Sequence, residues 1–183
     1  MGLSGVKMKN IDFTKIKLLA LDVDGVLTDG KLIINADGSE SKCFNSLDGH
    51  GLKLWQRAGL KVAVISGRMS KPTECWAKEL GISHVFQNCQ YKLPIVKKLL
   101  GKISLSPSNV AFVGNDLMDI PVIRYVRFGV VVADAVDEAK QYANFVTSYS
   151  GGNGAVREVI EHVLKKSGRW EELMKRYLPQ PSR

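Results

Sequence analysis

The segment from residue 18 to residue 30 constrains the fold more than any other part of the chain. It reads Leu-Leu-Ala-Leu-Asp-Val-Asp-Gly-Val-Leu-Thr-Asp-Gly, an apolar run that leads into two aspartates and a glycine. A short apolar run that ends at a turn predicts a buried strand of a parallel sheet, and ligands of open α/β sheets bind outside the carboxyl ends of such strands. Asp22 and Asp24 therefore lie where we expect chemistry. A turn at Gly25 lets the two carboxylates take different roles.

Length and composition predict one globular domain over residues 1–183. The apolar fraction of 45% is enough for a sizeable core in 183 residues. Residues 1–17 contain no apolar signal region, and the apolar runs are shorter than the ~20 residues that a membrane span needs. We therefore expect a soluble, cytoplasmic protein with no membrane partner. The three cysteines lack the spacing of a zinc site or a disulfide framework, so we expect them to be reduced packing residues.

The net charge of +8 raises the question of a nucleic-acid partner. Half of this excess lies in residues 165–183, the basic end of the chain. No helix-turn-helix pattern, zinc finger or aromatic-basic platform accompanies the charge, and a basic surface equally attracts small anionic substrates. We predict no nucleic-acid partner.

Strand-like and helix-like segments alternate after the first strand. Residues 31–44 form two extended arms around Asp37-Gly38, which predicts a β-hairpin inserted after that strand. The later strands are predicted at 60–66, 84–86, 110–113, 129–132 and 145–147, and the helices at 49–58, 71–80, 91–100, 118–126, 136–142, 155–165 and 170–177. Such alternation predicts right-handed βαβ units and a doubly wound, mainly parallel, Rossmann-like α/β sheet. A helical basic tail over 168–183 completes the domain.

The candidate functional groups each follow a predicted strand. They are Asp22 and Asp24 after the first strand, Ser66, Gly67 and Arg68 after the second, and Asn115, Asp116 and Asp119 after the strand at 110–113. Carboxylates gathered at one rim repel one another unless a cation lies between them. Oxygen ligands of this kind suit Mg²⁺. Lys92, at the start of an amphipathic helix, would add a fixed positive charge.

This set of groups is suited to phosphoryl transfer through an aspartyl-phosphate. Asp22 would attack phosphorus, while Asp24 would protonate the leaving alkoxide and later deprotonate the attacking water. Mg²⁺, Ser66 and Lys92 would stabilise the oxygens that carry charge in the transition state. Taken singly, each residue also fits an ordinary role as a helix cap, a turn residue or a solvated lysine. Their order and joint placement favour the chemical interpretation.

These residues resemble the four ordered motifs of the haloacid dehalogenase superfamily of phosphatases. The motifs are Asp22 to Gly30, Ile65-Ser66-Gly67-Arg68, Lys92, and Gly114-Asn115-Asp116-Leu117-Met118-Asp119. Three further segments, at 44–51, 132–135 and 151–158, are similar to the 3-deoxy-D-manno-octulosonate (KDO) 8-phosphate phosphatases. The resemblance covers residues 17–164.

The resemblance implies a capless haloacid dehalogenase-type fold and a role for each motif. Asp22 would be the nucleophile and a Mg²⁺ ligand, and Asp24 the general acid and base, with its backbone carbonyl facing the metal. Ser66 and Lys92 would hold the phosphoryl group. The subfamily forms homotetramers in which hairpins like 31–44 meet at the centre and help to close a neighbour's site. An ordinary edge ribbon remains the alternative for this hairpin.

Two departures from the family pattern affect the site. Asn115 stands where most relatives carry the aspartate that is the third metal ligand, so Asp116 or Asp119 would compensate, directly or through water. Leu47 stands before Asp48-Gly49 where many KDO 8-phosphate phosphatases have an arginine. Arg68 supports the KDO 8-phosphate phosphatases over the nonulosonate 9-phosphate phosphatases, because the latter can carry glutamate at this position.

The substrate side of the site is predicted from residues near these motifs. Arg68 would bind a carboxylate or hydroxyl of the sugar acid through its guanidinium fork, with a surface ion pair as the alternative. Gly67 lies beside it, and Asn45, Asp48 and Gly49 would line the sugar side. Residues 151–154 would offer backbone amides to an anion, or form a loop with a cap. His50 and His84 are predicted to be structural.

The end of the chain and the function leave alternatives open. Trp170, Leu173, Met174 and Tyr177 recur at helical spacing, which predicts packing on the domain or on a neighbouring subunit. Residues 178–183 would reach a neighbouring active site or form an extended segment without fixed order. The main hypothesis is a Mg²⁺-dependent KDO 8-phosphate phosphatase that acts on a sugar-acid phosphate on the way to lipopolysaccharide. The alternatives are a phosphatase for another ulosonate, such as a nonulosonate 9-phosphate, and a non-catalytic oligomerisation module.

Overall fold

The structure is a computed structural model that describes residues 11–178. Strands and helices alternate along most of this chain. In chain order they are β1 Leu18–Leu21, β2 Ile33–Ile34, β3 Glu40–Ser41, α1 Ser46–Arg57, β4 Lys61–Ile65, α2 Lys71–Glu79, β5 His84–Phe86, α3 Lys92–Lys102, β6 Val110–Gly114, α4 Ile120–Tyr125, β7 Phe128–Val131, α5 Asp137–Lys140, β8 Phe145–Val146, α6 Ala155–Lys166 and α7 Trp170–Met174. Short 3₁₀ turns lie at Phe13–Lys15, Pro107–Asn109 and Leu117–Asp119.

The main sheet has six parallel strands in the order β5-β4-β1-β6-β7-β8. All four residues of β1 are fully buried, because β1 lies between β4 and β6 and both faces of the sheet are covered. Leu21 is in register with Val64 on one side and Val113 on the other. The chain first builds the sheet from β1 toward β5 and then resumes at β6 on the other side, so β1 and β6 flank the switch point. The predicted doubly wound α/β fold is confirmed.

The helices lie on both faces of this sheet. Right-handed connections place α1 and α2 on one face and α3, α4 and α5 on the other. On the first face α6 packs against α1, and on the second α3 packs against α4. Gly51 allows the close approach of α6, since a Cβ there would lie 3.0 Å from Cδ of Arg157 and 3.2 Å from Cδ1 of Ile160.

The hairpin at 31–44 forms as predicted, but its regular pairing is short. Ile33 pairs with Ser41 and Ile34 with Glu40 in an antiparallel ribbon that is separate from the main sheet. Gly38 turns the chain at the tip with a φ of +81°. The apolar side chains of Leu32, Ile33 and Ile34 are exposed by 51%, 43% and 61%. The ribbon therefore presents apolar surface that the described part of the chain does not cover.

The start of α1 differs from the prediction. The helix begins at Ser46 rather than at residue 49, because the side chain of Asn45 accepts a hydrogen bond from the N–H of Leu47 at 2.8 Å and caps the helix. Gly49, predicted as the first residue of this helix, is its fourth residue. A Cβ at Gly49 would lie 3.3 Å from Cζ2 of Trp76, so a small residue suits this helix position.

The segment after β6 is also more irregular than predicted. The predicted helix at 118–126 is a 3₁₀ turn over Leu117–Asp119 followed by α4, because the side chains of Asp116 and Asp119 cap the turn in a reciprocal arrangement.

The described part of the tail packs on its own chain. Trp170 and Leu173 pack against the core beyond α6. The hydroxyl of Tyr177 accepts a hydrogen bond from Nη1 of Arg57 at 2.6 Å and lies 3.0 Å from Nε2 of His50. The predicted packing role is confirmed for Trp170 and Leu173, whereas Tyr177 is 45% exposed and is held by these hydrogen bonds. Residues 179–183, which carry the alternative of a tail that reaches a neighbouring site, lie outside the described residues.

Candidate active site

Asp22 and Asp24 follow β1 at the switch point of the sheet. The N–H of Asp22 donates to the carbonyl of Val113 at 3.0 Å, which continues the pairing of β1 with β6 by one residue. Gly25 then takes a φ of +82°, a conformation that suits glycine. Asp22 is 7% exposed, and Asp24 is less deeply buried. The strand thus delivers one nearly buried carboxylate and one more accessible carboxylate to the same rim.

Lys92 binds two carboxylates of this rim. Its Nζ lies 2.7 Å from Oδ1 of Asp22 and 2.7 Å from Oδ1 of Asp119. Lys92 is the first residue of α3 and is only 3% exposed. A buried ammonium needs such partners, because an unpaired buried charge is strongly destabilising. The lysine is therefore fixed beside Asp22.

Asp119 holds both Lys92 and the loop after β6 in position. Its Oδ2 accepts hydrogen bonds from the N–H of Asn115 at 2.8 Å and of Asp116 at 3.1 Å. The carboxylate packs so closely that a Cβ at Gly114 would lie within 2.6 Å of three Asp119 atoms. Asp119 is fully buried, so it lies on the interior side of Lys92 and of the loop.

The charges of this cluster shift two pKa values. Burial, with the neighbouring charge of Asp119, raises the pKa of Asp22 to about 7, although Lys92 opposes the rise. Burial lowers the pKa of Lys92, but the carboxylates of Asp22 and Asp119 outweigh it and the net shift is upward. Lys92 therefore stays protonated. A divalent cation beside Asp22 would favour its ionised form.

Asn115 has the features of a metal ligand. Its Oδ1 is buried and has no hydrogen-bond partner within residues 11–178. Nδ2 of Asn115 packs on Gly25, where a Cβ would lie 2.2 Å from it. The same residues contain no group of three or more His, Cys, Asp or Glu side chains arranged for a metal. Two aspartates and one amide oxygen nevertheless fit a hard cation such as Mg²⁺, which prefers oxygen ligands and retains water.

The remaining motif residues follow β4. Ser66 is 1% exposed, and its Oγ accepts a hydrogen bond from the N–H of Arg68 at 3.2 Å. The Arg68 side chain is 43% exposed. A cavity of about 200 Å³ brings most candidates together and is lined by Asp22, Asp24, Gly67, Arg68, Lys92, Asn115, Asp116, Met118 and Asp119.

Asp116 lies at the outer side of this cavity. Its Oδ1 accepts a hydrogen bond from the N–H of Leu117 at 2.6 Å, and the residue is exposed. Asp116 thus caps the 3₁₀ turn and faces solvent. Within the described chain, a direct metal ligand from this loop is better placed at Asn115.

Two residues that our sequence analysis missed contact the site. Lys42 forms an ion pair with Asp24, and its Nζ lies 2.8 Å from Oε1 of Glu40. Glu40 also binds Nη2 of Arg68 through Oε2 at 3.1 Å. Both new residues belong to the second arm of the hairpin, where period-two alternation puts them on one face. Two charged residues at alternate positions of one arm were the sequence signal that could have indicated this contact.

Three predicted substrate residues lie outside the cavity. Asp48 is fully buried and accepts hydrogen bonds from the N–H of Gly154 at 3.3 Å and of Arg157 at 2.7 Å. Gly49 packs near Trp76. Asn45 caps α1 and donates to the carbonyl of Gly152 at 3.0 Å. The expectation that these residues line the sugar side does not fit these positions.

Asp48 instead stabilises the amino end of α6. Burial raises the pKa of its carboxyl group, and backbone N–H groups of the first turn of α6 oppose that rise. The predicted anion at this helix end is thus a carboxylate of the protein itself.

The glycines before α6 support the turn at Gly25 rather than an external anion. A Cβ at Gly151 would lie 1.9 Å from the carbonyl oxygen of Gly25, and one at Gly152 would lie 2.6 Å from the nitrogen of Asp29. The N–H of Gly151 donates to Asp134, and the N–H of Gly152 donates to the carbonyl of Val26. Of the two alternatives, the capped loop is correct.

The two histidines that were predicted to be structural lie outside the cavity. Nδ1 of His50 lies 3.3 Å from Nη1 of Arg157, so His50 links α1, α6 and the tail. His84 is in β5, and its partial burial lowers its pKa. Within residues 11–178, no helix combines the length and the hydropathy that crossing a bilayer requires.

Comparisons with known proteins identify the family. A sequence profile of haloacid dehalogenase-like hydrolases matches residues 90–160. Over 157 residues, the chain is 43% identical to the 3-deoxy-D-manno-octulosonate 8-phosphate phosphatase of Escherichia coli (strain K12), a match that covers 86% of this chain and 84% of that protein. The chain belongs to the KDO 8-phosphate phosphatase family.

Solved structures agree with this membership. The KDO 8-phosphate phosphatase of Moraxella catarrhalis, in complex with a magnesium ion, a phosphate ion and a KDO molecule, has a TM-score of 0.89 and 38% identity over 91% of this chain and 96% of that one. The cobalt-bound family member from Haemophilus influenzae has a TM-score of 0.83 and 34% identity, with coverage of 86% and 92%. The fold and the family expected from the sequence motifs are confirmed.

Proposed function

We propose that this chain is a Mg²⁺-dependent phosphatase that hydrolyses KDO 8-phosphate to KDO and phosphate. The observation that carries the proposal is the ion pair between Lys92 and Asp22 at the carboxyl end of β1, with Asp24 two residues beyond. The proposal is also supported by the 43% identity of this chain to a KDO 8-phosphate phosphatase over most of the length of both proteins. Hydrolysis of a phosphoric monoester suits this set of side chains.

Asp22 is the proposed nucleophile. Its carboxylate attacks phosphorus in line with the departing sugar oxygen, so the P–O bond to the sugar breaks as an aspartyl-phosphate forms. Lys92 engages Oδ1 of Asp22, and we assign the attack to the other oxygen. Water then attacks the same phosphorus, which releases phosphate and regenerates Asp22.

Asp24 is the proposed general acid and base. It donates a proton to the sugar alkoxide in the first step and removes a proton from water in the second. The position of Asp24 supports this role, because it lines the same cavity as Asp22 and is more accessible.

Ser66 and Lys92 are the proposed stabilisers of the phosphoryl group. The Ser66 hydroxyl accepts a bond from the N–H of Arg68, which leaves its own O–H to donate to a phosphoryl oxygen. The ammonium of Lys92, which stays protonated between two carboxylates, offsets the charge that develops on the transferring group.

Magnesium would be held by Asp22, the backbone carbonyl of Asp24 and Asn115. The unpartnered oxygen of Asn115 supports this ligand set. When bound, the ion neutralises phosphoryl charge and orients the group for attack. Asp116, at the outer side of the cavity, is proposed to act through a water molecule.

Arg68 is the proposed recognition group for the sugar acid. It lines the cavity beside Gly67 and carries a partly exposed guanidinium, which can bind a carboxylate with two parallel hydrogen bonds. Its present partner is itself a carboxylate, that of Glu40. This pairing supports a substrate that carries a carboxylate as well as a phosphate.

A homotetramer with the hairpins at its centre is the proposed assembly, in a cytoplasmic enzyme that functions as one domain. The exposed apolar residues Leu32, Ile33 and Ile34 support it, since such a patch needs cover. Deleting residues 35–39 should reduce both the molar mass measured by light scattering and the rate of turnover. A variant with unchanged assembly and turnover would rule out this use of the hairpin.

Phosphate release tests the proposed function. The protein would be assayed with Mg²⁺ and with EDTA on KDO 8-phosphate, nonulosonate 9-phosphates and hexose phosphates. We expect metal-dependent release with a strong preference for KDO 8-phosphate. A preference for the nonulosonates would transfer the function to sialic-acid-like sugars, and no release from any substrate would favour a non-catalytic oligomerisation module.

A further inference from the structure

The hairpin and the active site share a closed set of four charged side chains. Lys42 binds Oδ1 of Asp24 and lies 2.8 Å from Oε1 of Glu40. Oε2 of Glu40 lies 3.1 Å from Nη2 of Arg68, and Nε of Arg68 lies 3.9 Å from Oδ2 of Asp24. Two cations and two anions therefore alternate in a ring. The hairpin contributes one of each to the active site of its own chain.

Lys42 is the most deeply buried member of this ring. Its side chain is 1% exposed, compared with 13% for Glu40, 21% for Asp24 and 43% for Arg68. Moving an ammonium out of water is costly unless it is paired with good geometry, so Lys42 is confined to the place where both carboxylates reach it. A lysine held in this way fixes its partners in turn.

The second hairpin arm is held against the body of the protein on both sides of Lys42. Two residues farther along the chain, the ring of Phe44 stacks on Trp76 of α2, with centroids 4.3 Å apart and planes 7° apart. On the other side, Ser70 donates from its hydroxyl to Glu40 at 3.4 Å. Lys42 therefore approaches Asp24 from a segment that is anchored, although the hairpin tip is exposed.

We infer that Lys42 is a positioning residue that orients the carboxylate of Asp24 for proton transfer. Lys42 occupies Oδ1 of Asp24, which leaves Oδ2 on the side of Arg68 and the cavity, where the leaving oxygen of a substrate would lie. Glu40 keeps Lys42 in place. This role rests on the proposed phosphatase function and gives the hairpin a task within its own protomer.

The test separates proton transfer from general damage by changing the leaving group. A sugar alkoxide needs a proton as it departs, whereas the nitrophenolate of p-nitrophenyl phosphate does not. For Lys42→Met we expect kcat on the sugar phosphate to fall ~10- to 100-fold with little change in KM, as for a misplaced catalytic group. The burst of nitrophenolate that reports formation of the aspartyl-phosphate should change less than about twofold.

Three further variants complete this test. Lys31→Met removes an 81% exposed lysine of the same hairpin that pairs with Asp29, and it should leave both reactions unchanged. Glu40→Gln should reproduce the selective loss more weakly, and Lys42→Arg should restore part of the rate on the sugar phosphate. Thermal melting of each variant checks that it is folded.

Two results would overturn the inference. Equal losses on both substrates would assign Lys42 a merely structural role, and unchanged kinetics for Lys42→Met would leave it no role in the reaction. The wild-type burst measures phosphoryl transfer whichever sugar phosphate is natural. A wrong sugar assignment would therefore appear in the wild-type substrate screen, and a failure of this inference would appear only in the comparison of variants.

Discussion

Two nearly inaccessible lysines bind the two aspartates of the same strand end in different ways. Lys92 begins the eleven-residue helix α3 and joins Asp22 to the fully buried Asp119. Lys42 follows the two-residue strand β3 and joins Asp24 to the partly exposed Glu40. The proposed nucleophile is thus held by the core of the domain, and the proposed acid-base group is held by the inserted hairpin.

The two clusters therefore differ in how strongly their geometry depends on the packing of the domain. The Lys92 cluster lies inside the helix and sheet packing that stabilises the whole domain, so it is fixed whenever the protein is folded. The Lys42 cluster lies on a short ribbon that exposes apolar surface and is held to the domain by its second arm, through contacts such as that of Phe44 with Trp76. Any contact that holds the hairpin would therefore affect Asp24, the proposed acid-base group, first.

The largest expected effect is that of a substitution at Asp22, the proposed nucleophile. Asp22→Asn should lower kcat at least ~10³-fold, because an amide cannot replace the attacking carboxylate. Circular dichroism should show an intact fold. Asp29→Asn, at an exposed aspartate after the same turn, is the control and should retain activity. An active Asp22→Asn enzyme would exclude the covalent mechanism.

The next effect compares the two lysines in stability. Lys92→Met leaves Asp22 and Asp119 buried without their cation and should lower the free energy of unfolding by about 3–5 kcal/mol. Lys42→Met should cost only about 1 kcal/mol, because Asp24 and Glu40 are closer to solvent and Arg68 is near both. Urea denaturation in the presence of EDTA measures both values. Equal losses would show that the hairpin is as integral to the fold as α3.

Asp48 is a third carboxylate, and it binds the start of α6 rather than Lys42 or Lys92. Asp48→Ala removes the acceptor for the N–H groups of Gly154 and Arg157 and should destabilise the protein by about 1–2 kcal/mol. Asp48→Asn retains an acceptor and should lose less. Both should keep kcat/KM within about threefold, since Asp48 lies outside the cavity. A large rise in KM with normal stability would return Asp48 to the substrate side.

The smallest effect concerns the metal. Asn115→Asp adds a negative charge to the proposed ligand set and should tighten Mg²⁺ binding by about tenfold. Calorimetric titration of the chelator-treated protein gives the affinity independently of turnover. Asn153→Asp adds the same charge at a residue outside the cavity and serves as the control. If both variants bind Mg²⁺ like the wild type, Asn115 is not a ligand.

The alternation of apolar and polar residues was enough to predict most of the fold. Strands such as β1 and β6 are short apolar runs, and the carboxyl ends of parallel strands meet at one rim whatever the details of packing. For this reason the sequence predicts that Asp22, Ser66 and Asn115 lie together, and Lys92 was expected beside them from the start of an amphipathic helix. Helix boundaries were less predictable, because a side-chain cap such as that of Asn45 lies outside the pattern of apolar residues.

By itself, the sequence determined the doubly wound sheet, the family and the group of polar residues at the ends of the central strands, because these follow from local patterns. Only the tertiary structure decided how charges separated in sequence are paired. Asp48 meets α6 more than one hundred residues away, and Lys42 meets Asp24 across the inserted hairpin. Such pairs depend on how helices and loops pack, because a buried charge must be paired with a group that the fold brings close to it.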